Sequence, residues 1–316
     1  MRIDAKLAAL AGKILISGML IALLLWRTDL QPIAARLEKM DLARCGAVLL
    51  VFLVQLSFLG LRWEKISAAI GAPLGLRPAI RMTAIGWFFN QLLPSSFGGD
   101  AMRAWVAHRS GTPLAKAAHG VVLDRVVGLT ALILLIGLTV PLLYHAVPSG
   151  LPIWPLVAVF TCAATGALLV AAFGRQIEST LMQWRATRFL ASFGRDLREV
   201  GGDLPRAAAL LGLSVGLHGL TIAQMYVIGG AVMPGVTPLQ YLALVPPVLL
   251  LAALPVSFAG WGVREGTMVV VFGAIGVAPA DALSLSLVYG LLLMVAGLPG
   301  AVFWLAERRR ADPVQR

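Results

Sequence analysis

The chain has 316 residues, of which 59% are hydrophobic and only 13% charged, and its mean hydropathy is +0.86. Soluble domains carry roughly a quarter charged residues, so a water-soluble fold is excluded and residues 1–316 read as a single integral membrane domain. The formal net charge of +11 does not mark a nucleic-acid binder, because the Lys and Arg residues separate apolar runs instead of forming a basic tract with interleaved aromatics; no nucleic acid is expected as a partner.

A bilayer core takes about 20 apolar residues in helical form. Six stretches supply them: residues 7–26, 42–62, 121–143, 152–173, 207–231 and 283–305. Helix is required there because backbone polar groups in lipid must be satisfied within the segment. The first stretch has the basic flank of a secretory signal in Arg2, Lys6 and Lys13, but its length and the absence of a small-x-small cleavage site make it a transmembrane helix. Residues 27–41 carry Ile33, Leu37 and Met40 at helical spacing, which predicts an amphipathic helix on the membrane surface.

Orientation follows from Lys and Arg. Residues 174–206, the segment after the second span with Lys65, Arg77 and Arg81, and the C-terminal Arg308, Arg309 and Arg310 are basic and belong on the cytoplasmic side. The connections at 144–155 and 232–240 have no Lys or Arg and belong outside. Both termini are then cytoplasmic.

Two further apolar regions are too broken to be plain spans. One, within residues 81–105, is interrupted at 94–100; the other, within 239–277, at 255–262. The interruptions match: Leu93-Pro94-x-Ser96-Phe97-x-Gly99-x-x-x-Arg103 aligns with Leu254-Pro255-x-Ser257-Phe258-x-Gly260-x-x-x-Arg264 at a constant offset of 161 residues. An internal repeat accounts for this, the first copy spanning about 42–173 and the second about 207–305, joined by a basic cytoplasmic linker at about 174–206. Counting spans, the first break is entered from the cytoplasmic side and the second from outside. The predicted fold is all-α and polytopic, with about six full spans and two oppositely oriented re-entrant hairpins in an inverted repeat, Pro94 and Pro255 near their tips.

Pro stops a helix and Gly allows a sharp turn and close approach, so each break exposes helix-end groups able to hold an anion. Charges at membrane depth are costly and mark function. The expected substrate-binding set is therefore Asn90, Pro94, Ser96, Gly99, Asp100 and Arg103 at the first break, with Asp124 and Arg125 early in the next span. From the second break come Pro255, Ser257, Gly260, Gly262, Arg264 and Glu265. Arg103 and Arg125 read two ways, as binding groups or as side chains that snorkel to the interface.

Little else carries chemistry. Cys45 and Cys162 sit in apolar runs, and His108, His119, His145 and His218 share no ligand spacing, so no disulfide, metal or cofactor is expected. Gly212-x-x-x-Gly216 reads as helix packing. No nucleophile elbow, Ser-His-Asp set or P-loop is present, so an enzyme is not expected.

Asn90-x-x-x-Pro94-x-x-x-Gly98-Gly99-Asp100-x-x-Arg103, Leu123-Asp124-Arg125 and Leu254-Pro255 through Gly260-x-Gly262-Val263-Arg264-Glu265 resemble the lysylphosphatidylglycerol-synthase transmembrane family of flippase-like membrane proteins, over about residues 42–305. The resemblance implies lipid handling in a bacterial cytoplasmic (inner) membrane. In that family the membrane region, fused to an aminoacyl-transfer domain, is implicated in moving modified lipid between leaflets, and stand-alone members include proteins associated with hopanoid lipid biosynthesis. The present 316 residues leave no room for the aminoacyl-transfer domain, so lysyl transfer is not expected.

The expected function is binding and translocation of an anionic or modified membrane lipid. The alternatives are a small-solute or ion-coupled secondary transporter, and a non-catalytic accessory subunit whose partner is a lipid-biosynthesis enzyme. A homo-oligomer is compatible with either.

Overall fold

An apolar run with no water for its backbone closes on itself as helix, and helices joined by short turns make up the described part of the computed structural model, which covers residues 41–93, 98–146, 188–254 and 260–311 together with Met19, Ala158 and Cys162. Four helices are long and apolar enough to cross a membrane: α1 (Leu42–Ala69), α4 (Leu114–Ala146), α6 (Leu204–Val232) and α9 (Pro279–Ala311). They coincide with four of the six predicted spans. The other two, at 7–26 and 152–173, and the surface helix predicted at 27–41 lie outside the described residues apart from those three single positions. Asp41 caps α1, its carboxylate accepting from the Ala43 N–H at 2.9 Å. The helices overrun the predicted spans: α1 continues to Ala69 and α4 begins at Leu114, each seven residues beyond the expected bound.

Between the long helices lie the two hairpins. The first joins α2 (Leu76–Leu92) to α3 (Gly98–Arg109), and the second joins α7 (Pro238–Ala252) to α8 (Val263–Gly273). Their tips, residues 94–97 and 255–259, fall outside the described residues, and with them Pro94, Ser96, Pro255 and Ser257. At a rise of about 1.5 Å per residue, the 17, 12, 15 and 11 residues of the four arms are all shorter than the roughly 30 Å hydrocarbon core. The arms run antiparallel. Gly86 of α2 meets Gly99 and Arg103 of α3, while Asn90 meets Gly99; Ala252 lies against Gly260, and the rings of Tyr241 and Phe272 meet at a tilt, 5.5 Å apart.

The hairpins enter from opposite ends of the bundle. Helices α1 and α6 are antiparallel, since Arg62 reaches Ser214, Gln55 reaches Thr221, and Gln224 reaches the Val48 carbonyl. The start of α2 packs at the C-terminal end of α1, with Ala79 and Met82 around Trp63. The start of α7 packs at the C-terminal end of α6, where a Cβ on Gly229 would overlap Tyr241. Apolar side chains left outside, such as Leu50, Leu53 and Phe58 on α1 and Leu134 and Leu138 on α4, suit contact with lipid. Gly212 and Gly216 have no described atom near a Cβ built on them, so among the described residues no helix uses that motif for packing.

The linker holds more order than its basic composition suggested. Helix α5 (Arg188–Gly201) carries Phe189, Phe193, Leu197 and Val200 along one side, and rings of Phe189 and Phe193 stand 4.5 and 5.5 Å from that of His119 on α4. Asp196, 2% exposed, pairs with His119 Nδ1 at 2.7 Å and with Lys116 Nζ at 2.6 Å. Two aromatic faces and the bonds of the buried Asp196 carboxylate thereby fasten α5 to the start of α4.

A Cβ on Gly99 would overlap the Gly86 carbonyl and crowd the Asn90 side chain. Gly99→Ala is expected to destabilise the fold by about 1–3 kcal/mol, the usual cost of overpacking. The check is the midpoint of thermal unfolding in detergent, with Gly273→Ala, where a Cβ meets no described atom, as the comparison; equal midpoints would show that the hairpin yields freely.

Candidate functional site

Each hairpin delivers one arginine, five residues beyond the first helical residue of α3 and one beyond that of α8, and both point into the same space. A cavity of about 370 Å³ lies between the hairpins and helices α1, α4, α6 and α9. Arg62, Asp100, Arg103, Asp124, Arg125 and Arg264 line it, together with Gln55, Thr83, Asn90 and His218. Leu129, Leu132, Leu217, Leu249 and Leu293 supply the apolar part of the wall.

On the first-hairpin side the centre is Asp124, 4% exposed. One carboxylate oxygen accepts from Arg62 Nε at 2.7 Å and the other from Arg103 Nη2 at 2.9 Å. Arg62 also donates to Ser214 at 3.0 Å, and a Cβ on Gly128 would stand 3.2 Å from its guanidinium, so a glycine on α4 makes room for it. The Arg103 guanidinium lies 4.6 Å from the Trp63 ring centre, a cation–π contact that offsets part of its desolvation. Arg103 Nε is buried and has no partner. Arg125, about one-third exposed at the rim, donates to Asp100 at 2.6 Å. Buried charges are tolerated at membrane depth only when paired in this way.

On the second side the pairing is complete. Glu265, 0% exposed, accepts from Arg264 Nη2 at 2.6 Å, from Ser286 at 2.8 Å and from the Gly262 N–H at 2.6 Å. The last bond caps α8. Gly260 and Gly262 hold φ of 81° and 85°, a region that costs other residues roughly 1–2 kcal/mol, and this sets the sharp turn into the helix. Arg264 stacks between Trp261 and Tyr289, 4.9 and 5.8 Å from their centres. Gly290 opens the space it occupies, because a Cβ there would overlap its guanidinium.

The predicted site residues therefore separate. Asn90, Asp100, Arg103, Asp124, Arg125, Gly260 and Arg264 share one cavity. Glu265 stands behind Arg264 rather than in the wall, Gly262 is a helix cap, and Gly99 is a packing position whose N–H is held by Asn90 at 2.9 Å. Arg103 is buried, not snorkelled. Sequence reasoning missed Arg62, the last residue of the predicted span 42–62, and the uncharged Gln55, Thr83 and Ser286. The signal available for Arg62 was Asp124, an acid in an apolar run that needed a basic partner.

The family model described as the lysylphosphatidylglycerol synthase TM region matches residues 10–300. The chain belongs to this family. No curated protein matches the sequence. Membership in the lysylphosphatidylglycerol synthase TM family, with four membrane-spanning helices among the described residues, makes it a multi-pass, membrane lipid-related protein. The matched region of the lysylphosphatidylglycerol synthase TM family takes in both hairpins and every cavity-lining residue named above.

Proposed function

We propose that the protein binds the anionic head group of a membrane lipid in the cavity between its hairpins and carries it between leaflets. The observation that carries this reading is the charge inventory of the site: four guanidinium groups, of Arg62, Arg103, Arg125 and Arg264, face three carboxylates, of Asp100, Asp124 and Glu265. One positive charge is left over, and Arg103 keeps a buried donor unused. A phosphate accepts in the plane of such a fork, while the leucine wall suits the start of acyl chains.

Translocation is supported by the opposed hairpins. Shifted by 161 residues, the bounds of α1, α2, α3 and α4 fall within four residues of those of α6, α7, α8 and α9. We read residues 42–173 and 207–305 as inverted repeats that enclose one site, the arrangement used for alternating access. Both termini then lie on the cytoplasmic side of the inner membrane, where the basic segments meet anionic lipid.

The test begins with mass spectrometry of lipids retained by the purified protein, followed by reconstitution in vesicles carrying a labelled form of the lipid found. Exchange between leaflets that exceeds protein-free vesicles and is lost in Arg103→Gln supports the reading. Exchange equal to that of protein-free vesicles, with the lipid still retained, sinks translocation and leaves binding. Uptake of a soluble ion or metabolite with no lipid retained favours the secondary-transporter alternative.

A further inference from the structure

A second pair of arginines lies outside the cavity wall, at the end of the bundle where α2 begins. Arg77 and Arg81 are one helical turn apart and, with Pro78, Ile80 and Phe303 of α9, line a groove of about 430 Å³. Arg81 donates one nitrogen to Glu307 at 2.6 Å, its Nε is buried without a partner, and Arg77 is exposed with no described partner. Helix α2 opens at Gly75 without a side-chain cap, so the backbone N–H groups of Leu76 and Arg77 add positive potential at the same place. The rest of the groove is apolar.

The height of the groove fits a membrane surface. Leu291, Val295, Leu298, Val302 and Leu305 form an exposed stripe along α9, and the charged run Glu307 to Arg310 follows at once in the sequence. The hydrocarbon boundary therefore falls near Leu305, level with Phe303 and Arg81. A basic pair above, an apolar wall below and a lipid-facing stripe beside them match an amphiphile from end to end.

The geometry points to a second lipid site here, in which one anionic phospholipid of the surrounding leaflet places its phosphate between Arg77 and Arg81 and lays an acyl chain against Pro78, Ile80 and Phe303. The site is separate from the central cavity and does not depend on transport. It stations an anionic lipid where the first hairpin meets the last span.

Native mass spectrometry of the full chain, delipidated and titrated with phosphatidylglycerol, tests this. Arg77→Gln/Arg81→Gln should weaken retention of one lipid by about tenfold or more, and Arg77→Gln alone, which breaks no ion pair, should weaken the same lipid by a smaller factor. Arg103→Gln should leave that lipid in place, which separates this site from the central one. Glycerol 3-phosphate, which has the phosphate but no chain, should not displace it. Unchanged retention in both groove variants, displacement by glycerol 3-phosphate, or loss of a dimer peak in place of a lipid would each overturn the assignment, the last by making the groove an interface between copies.

Discussion

Asp124→Ala is expected to be the most damaging single change in the described part of the molecule, lowering stability by about 3–5 kcal/mol, because it leaves two buried guanidinium groups without their shared partner. Arg62 and Arg103 are 7% and 5% exposed, and the other acid near Arg103, Asp100, stands 3.9 Å away and is already held by Arg125. The measurement is the midpoint of unfolding by sodium dodecyl sulfate, followed by loss of helical signal. Adding Arg62→Gln to Asp124→Ala should recover part of the loss, since one uncompensated charge is removed with the acid. Additive damage from the two changes would show that the residues do not act as a pair.

Arg103→Gln is expected to weaken lipid binding at least tenfold, equivalent to about 1.4 kcal/mol, and more than Arg264→Gln does. The two arginines occupy matching places in the two hairpins, yet their surroundings differ. Arg264 is committed to Glu265 and Ser286, whereas Arg103 shares Asp124 with Arg62 and retains a free donor. Arg103→Lys should not restore binding, because an ammonium offers neither the planar fork nor the stacked face toward Trp63. Titration of the retained lipid against each variant reads the difference. Equal losses at Arg103 and Arg264 would mean that the ligand bridges both hairpins equally.

The spans were legible because lipid imposes a length and a composition that the sequence cannot hide. The hairpins were legible through Pro94 and Pro255 and the glycines beside them, which no continuous transmembrane helix would carry in that density. What escaped was pairing across the chain. Arg62 finds Asp124 on another helix, and His119 finds Asp196 in a segment that reads as a linker; neither partner is marked by spacing. Arg62 was further obscured by its place at the end of an apolar run, where basic residues usually report orientation. The amphipathic spacing of Phe189, Phe193, Leu197 and Val200 was visible, but in a short basic segment it carried no sign of what it would bury. Glu265 drew notice as an acid at membrane depth, and its geometry gives it a local reason for being there, as the cap of α8.

The way the hairpins are held has a consequence for motion. Helix α2 packs most extensively against α9, and α7 against α4, so each hairpin is gripped by a long helix from the other half of the chain. Two units that clasp each other in this way cannot rock apart as separate blocks without tearing their largest contacts. The seam between α2 and α9 joins close backbone approach to interlocked large side chains: a Cβ on Gly300 would overlap the Ala84 carbonyl and one on Gly297 would touch Trp87 and Phe88, while the Phe89 ring stands edge-on 5.1 Å from that of Trp304 and Arg81 pairs with Glu307. Interlocked in this way, α2 and α9 form a fastened pair, so a change in the shape of the cavity has to carry the first hairpin and the last span together.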